Sequence, residues 1–258
     1  QHGGKAAASL VDVSHGMDAV ITMLPDDKVV RKVVLGEGSE NCVAAGLAQG
    51  AVVIDMSTCN PTATRSLAEA LKPRGIAVVD APVMGGVIFA KDATLDIMVG
   101  GEAVLVERVK PLLAAIGRNI IPCGSTGTAH AMKALANYIN ACALINAIEA
   151  MTIGKRFGLD AKLMAEALIP MCAGRNHPIE KKVIPHILTR KFGTGMAMGF
   201  IAKDVKIAVD TAKSIGAIAP LGERVSELWS AAVEKLGYDL DQTQVARYWE
   251  EASNVKLQ

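Results

Sequence analysis

A lysine and an asparagine four residues apart carry the most chemistry in this chain. Lys133 and Asn137 lie in Gly124-Ser125-Thr126-Gly127-Thr128-Ala129-His130-Ala131-Met132-Lys133-Ala134-Leu135-Ala136-Asn137, a glycine-punctuated turn that runs into a long apolar helix. At that spacing the two side chains share one helix face. An ammonium group facing an apolar interior is costly unless something uses it. Desolvation lowers the pKa of such a lysine and lets it exchange protons near neutral pH. The plain alternative is a lysine that snorkels to solvent near a helix start. His130 lies one turn earlier and reads as a loop or capping residue, with acid/base work as its rival role. His2, His15, His177 and His186 show no ligand spacing, so no metal is implied.

The elements that must position this helix alternate strand and helix. Ala19 to Pro25 reads as a buried strand stopped by proline, and Asp26-Asp27 as the cap of a helix over Lys28 to Leu35. Ala51 to Ser57 reads as a second strand, and Thr58-Cys59-Asn60-Pro61 as the opening of a helix that ends near Arg74-Gly75. Further strands are expected at Ala77–Pro82, Asp96–Gly100 and Arg118–Cys123, with a helix over Glu102–Ile116. Apolar strands between amphipathic helices predict an α/β fold with an open, largely parallel sheet covered on both faces. Ligands bind beyond the carboxyl ends of such strands. Those ends carry Met23-Leu24-Pro25, Ser57-Thr58 and Pro82 to Gly86.

The second half reads as all helix: Thr128–Phe157, Ala161–Leu168, Pro178–Thr189, Phe200–Ile215, Leu221–Leu236 and Gln242–Ala252. Residues 1–125 are therefore expected to form the sheet domain and 126–258 an all-α domain, joined at Gly124 to Gly127. The longest of these helices is apolar on most sides and is expected to be buried all round, by its own domain or by a second subunit.

Composition narrows the partners. The 258 residues suffice for two domains, and 51% are hydrophobic but only 3% aromatic. Formal net charge is +1, from 27 basic and 26 acidic residues, so nothing steers the chain to nucleic acid or a membrane surface. The uncharged run Ala134–Ile148 is too short and too polar, with Asn137, Asn140 and Asn146, to span a membrane. The five cysteines are odd in number and never form a C-x-x-C pair. They read as reduced thiols and, with no signal-peptide pattern at the start, point to the cytoplasm.

These segments, in this order, resemble the β-hydroxyacid dehydrogenase family, which includes 3-hydroxyisobutyrate dehydrogenase and tartronate semialdehyde reductase. The resemblance runs from Gly4-Lys5-Ala6-Ala7-Ala8-Ser9 to the last helix. It implies a Rossmann-type sheet domain, partial at its start, followed by a helical domain for substrate and dimerisation. It implies NAD or NADP as cofactor and a small anionic substrate. Met23, Leu24 and Pro25 resemble the segment that touches the dinucleotide, Thr58 the threonine that approaches the nicotinamide, and Lys203, in Lys203-Asp204, the lysine that nears the cofactor from the helical domain. Met84, Gly85 and Gly86 fall in the substrate-carboxylate loop. Lys133 and Asn137 fall in the catalytic turn and helix, with Lys133 as acid/base. Arg175 lies where the helical domain commonly faces the substrate and could pair with its anion. A homodimer or homotetramer through the helical domain is implied as well.

Several positions depart from the family pattern. Met84 stands where serine is usual, and a thioether cannot donate to a carboxylate. Ala136 replaces the first of two asparagines after the lysine, and Ala129 a glycine before it. The family opens with a strand and a G-x-G-x-x-G turn that holds the pyrophosphate. Gly3-Gly4 follows no strand, and roughly 40 residues, the length of a strand–helix–strand segment, are expected to be missing. A chain with this start is expected to bind a dinucleotide poorly. Two other functions stay open: reduction of another anionic aldehyde, sulfonated or phosphorylated, and a non-catalytic dimeric scaffold. Imine reduction is disfavoured because Lys133 is present where those relatives usually lack it.

Overall fold

The structure is a computed structural model that describes residues 3–36, 38–171, 178–214 and 219–258. The chain divides into two compact units, Gln1–Lys133 and Ala134–Gln258. This division falls inside the long helix.

The first unit is built on a six-stranded sheet. In chain order it holds α1 (Leu10–Ser14), β1 (Ala19–Thr22), α2 (Asp27–Leu35), α3 (Val43–Gly46), β2 (Val52–Asp55), α4 (Pro61–Leu71), β3 (Ala77–Asp80), β4 (Val83–Met84), α5 (Gly86–Lys91), β5 (Leu95–Gly100), α6 (Ala103–Ala114), β6 (Gly117–Gly124) and the start of α7 (Thr128–Phe157). The caps expected from the sequence are present. Asp26 accepts from the Val29 N–H at 2.9 Å, and Asn60 from the Thr62 N–H at 2.9 Å with Pro61 at the first helical position.

The sheet is mixed. β1, β2 and β3 run parallel, and so do β5 and β6, but β5 meets β3 and β4 antiparallel. β3 and β4 run in one line along β5, with Asp80 opposite Gly100, Val83 opposite Ile97 and Met84 opposite Asp96, and the chain reverses only after Met84, through α5. At two residues β4 is too brief to show any periodicity, so that stretch reads as loop in the sequence. The sheet is covered on both faces. Val53 and Val78 pack with Val30, Val34, Leu67 and Leu71, while Val52, Ile54 and Val79 pack with Ile97, Val106, Val109 and Leu113.

The parallel register aligns a polar row across the carboxyl ends, Thr22 opposite Asp55 and Asp55 opposite Asp80, and the antiparallel pairing with β5 sets Gly100 opposite Asp80. Side chains at one register position share a face. The Asp80 carboxylate fits because Gly100 has no Cβ, which would lie 2.6 Å from Asp80 Oδ1.

The second unit is helical. It comprises the rest of α7, α8 (Ala161–Met171), a nine-residue π-helix (Ile179–Ile187), α9 (Met198–Ser214), α10 (Pro220–Leu236), a 3₁₀ turn (Gln242–Val245) and α11 (Ala246–Ser253). Leu144, Ile148 and Met151 of α7 pack with Val183, Val205 and Trp229 around one core. Within one chain α7 is not buried all round. Met132, Leu135 and Ile139 are 48%, 50% and 65% exposed, a single stripe at helical spacing.

Candidate active site

The site is assembled at the carboxyl ends of β1, β2 and β3. Asp55 closes β2 and is buried. Its Oδ1 accepts from the Thr22 hydroxyl at 2.9 Å and from the Ser57 N–H at 3.1 Å. Ser57 Oγ then accepts from the Leu24 N–H at 2.9 Å. The loop after β1, with Met23, Leu24 and Pro25, is thereby tied to the loop after β2, with Thr58.

The turn before α7 is held from β3. Asp80 Oδ1 accepts from the Gly127 N–H at 2.7 Å and Oδ2 from the His130 N–H at 2.9 Å. A carboxylate thus satisfies two of the orphan donors at a helix start. The His130 ring is fully buried, with Nδ1 2.7 Å from Thr64 Oγ1 and Nε2 2.9 Å from the Ser57 carbonyl oxygen. Both ring nitrogens are committed, so the acid/base role that the sequence left open for His130 has no atom to serve it. Asp55, Cys59 and His130 bring a carboxylate, a thiol and an imidazole within 4.8 Å of one another. With both imidazole nitrogens engaged by Thr64 and Ser57, His130 has no lone pair to offer a cation here.

Lys133 follows one turn later and is 8% exposed, which removes the snorkelling alternative. Its Nζ donates to Met84 Sδ at 3.0 Å. Thioether sulfur is a weak acceptor, so this contact orients the ammonium without neutralising it. Met84 lies beside Gly85 and Gly86, whose φ values of 122° and 73° suit glycine and expose the backbone.

In the second unit Asn137 donates through Nδ2 to Asp204 Oδ2 at 2.5 Å, and both are buried. Lys203 Nζ lies 3.1 Å from Asp204 Oδ1 and 5.9 Å from the centre of the Phe200 ring. Arg175 lies outside the described residues.

The sequence-expected residues therefore form two groups. Met23, Leu24, Pro25, Thr58, Met84, Gly85, Gly86 and Lys133 sit in the sheet unit, Asn137 and Lys203 in the helical one. Sequence reasoning missed the holders: Asp55, Asp80 and, across helices, Thr64. A signal was available, since the strands Val52-Val53-Ile54-Asp55 and Ala77-Val78-Val79-Asp80 both end an apolar run on a carboxylate. A buried acid in that setting needs partners.

Comparison with known proteins gives this arrangement its class. Residues 1–124 match the NAD-binding domain of 6-phosphogluconate dehydrogenase, and residues 127–249 the NAD-binding domain of NADP-dependent 3-hydroxyisobutyrate dehydrogenase. The chain is 30% identical to 2-(hydroxymethyl)glutarate dehydrogenase of Eubacterium barkeri over 256 residues, covering 99% of this chain and 83% of that one. It is 34% identical to the NAD-dependent L-serine dehydrogenase of Pseudomonas aeruginosa, covering 92% and 80%. A structure of Mycobacterium tuberculosis 3-hydroxyisobutyrate dehydrogenase with L-serine superposes with a TM-score of 0.82 at 29% identity, covering 94% and 82%. Fold and matches together define an NAD(P)-dependent oxidoreductase. More narrowly, the chain belongs to the β-hydroxyacid dehydrogenase family.

Proposed function

We propose that the protein interconverts a small carboxylate-bearing β-hydroxyacid and the matching aldehyde or keto acid, with Lys133 as the acid/base. One observation carries the reading: a buried ammonium, Lys133 Nζ, stands 3.0 Å from Met84 Sδ beside the exposed backbone of Gly85 and Gly86.

The tied loops Met23-Leu24-Pro25 and Thr58 fit one edge of a nicotinamide, since they stand side by side where open α/β sheets take ligands. Lys203 would serve the cofactor from the helical unit. A bound nicotinamide supplies or accepts the hydride. Lys133 Nζ takes the hydroxyl proton on oxidation and returns it on reduction. Asn137, one turn along the same helix, steadies that oxygen, its amide fixed by the bond to Asp204. The N–H groups at Gly85 and Gly86 receive the carboxylate, and Arg175 is a further candidate for the substrate anion. Met84 presents a soft, flexible thioether to Lys133 where the family pattern has serine. This favours a substrate other than the family's usual hydroxyacids and keeps a sulfonated or phosphorylated aldehyde as the second reading.

The test is a screen of the full-length protein against 2-(hydroxymethyl)glutarate, L-serine and 3-hydroxyisobutyrate with NAD and with NADP, read by nicotinamide absorbance. Turnover of at least one pair is expected. No turnover of any hydroxyacid or of the anionic aldehydes would favour the non-catalytic scaffold. The exposed stripe of α7 supports a homodimer or homotetramer through the helical half, which sedimentation measures directly. Among the described residues no helix is long and apolar enough to cross a membrane. No disulfide joins any of the four described cysteines, which is in keeping with a reducing compartment such as the cytoplasm.

A further inference from the structure

We propose that His130 is a positioning residue that fixes the Ser57-Thr58 loop against the turn carrying Lys133. The inference rests on the roles given above to Lys133 and Thr58.

Three polar atoms of His130 reach three separate elements. The backbone N–H goes to Asp80 at the end of β3, Nδ1 to Thr64 on α4, and Nε2 to the Ser57 carbonyl after β2. A carbonyl oxygen has no proton to give, so Nε2 carries the hydrogen. In the neutral ring Nδ1 then accepts the Thr64 hydroxyl hydrogen at the shorter contact, 2.7 Å, with the Asn60 carbonyl oxygen at 3.1 Å as the competing acceptor. Ser57 is the residue before Thr58, and its own hydroxyl holds the Leu24 N–H. One rigid ring therefore sets the distance between the helix turn that bears Lys133 and both loops assigned to the nicotinamide.

The site is dry: His130, Ser57, Asp55 and Asp80 are all buried at 1% exposure or less, and Thr64 at 2%. Alanine at 130 leaves the Ser57 carbonyl and the Thr64 hydroxyl without this partner, and the loop is free to drift. Glutamine keeps an N–H donor at similar reach. Because His130 touches no reacting atom, its removal acts through geometry. Misplacement of reacting groups by about 1 Å costs on the order of a hundredfold in rate.

The experiment compares full-length wild type with His130→Ala, His130→Gln and Thr64→Val, in steady-state kinetics, thermal melting and amide hydrogen exchange. For His130→Ala, kcat is expected to fall about tenfold to a hundredfold while the KM for the hydroxyacid moves by less than about threefold. His130→Gln restores most of kcat. Exchange at Leu24, Ser57 and Thr58 quickens in the alanine variant while β5 stays protected. A folded His130→Ala enzyme with kcat within about twofold of wild type overturns the proposal, even if it melts earlier. So does a folded glutamine variant as slow as alanine. If the alanine variant does not fold, Thr64→Val decides: an unchanged kcat overturns the proposal and a lowered one supports it. If wild type turns over no hydroxyacid, the functional reading has failed. The exchange comparison then decides alone, and equal protection at Ser57 and Thr58 overturns the coupling.

Discussion

Replacing Asp80 with alanine is expected to unfasten the turn that leads to Lys133. Asp80 is fully buried, and its two oxygens accept the Gly127 and His130 N–H groups at 2.7 and 2.9 Å. Hydrogen bonds to a charged group contribute about 1.5–3 kcal/mol each, so the two sum to about 3–6 kcal/mol. Removing the carboxylate also relieves its own desolvation, which places the net loss near the lower end, about 3 kcal/mol. For a unit of this size each kcal/mol moves the melting temperature by roughly 3–5 °C, giving a drop of about 10–15 °C. Asparagine keeps one carbonyl acceptor but turns an NH₂ toward the other N–H, so it should lose at least half as much. Circular dichroism melts of the three proteins, with kcat on the same samples, provide the assay. A drop below about 3 °C for Asp80→Ala would show that the helix turn is held by something other than this carboxylate.

Met84→Ser should shift turnover toward the hydroxyacids used by the relatives, by about tenfold in relative kcat/KM, because a hydroxyl can donate where a thioether cannot. An unchanged substrate profile would mean that position 84 does not set specificity. Lys182 gives a pH prediction in the second unit. Burial pulls its pKa down from 10.5 to about 8, and its Nζ donates to Gln242 Oε1 at 2.8 Å. The unfolded chain then holds more protons than the folded one between those values, so stability rises with pH from about 8 to about 10.5 and is lower below that window. The gain is on the order of 3 kcal/mol, read from urea midpoints across the window. Lys182→Met should flatten that rise, and a slope that survives the substitution would contradict the assignment.

Local signals carried much of the fold. Asp26 and Asn60 read as caps in the sequence and are caps in the structure, and the helix expected over Thr128–Phe157 has those bounds. What escaped was set by tertiary geometry. The reversal of β5 against β3 and β4 is made by the segment through α5, and no periodicity announces which way the strand after it will run. The wide helix Ile179–Ile187, with Pro185 inside it, reads as an ordinary α-helix from its apolar spacing. For the site, residue type and spacing pointed to Lys133, the loops at Met23 and Thr58, and Gly85-Gly86. The Asp55–Asp80 row did not appear, because register is a property of paired strands and not of either strand alone. The role of His130 was ambiguous for a similar reason: only the positions of Thr64 and Ser57, far away in sequence, show that its ring is fully used.

The central claim is that the Lys133 amine moves a proton at the reacting oxygen, and single-turnover kinetics of Lys133→Ala test it most directly. The rate of hydride transfer should fall by about 10²–10⁴-fold while the dissociation constant of the dinucleotide stays within about threefold. Added methylamine should restore part of the lost rate. A variant that transfers hydride at the wild-type rate would contradict the account.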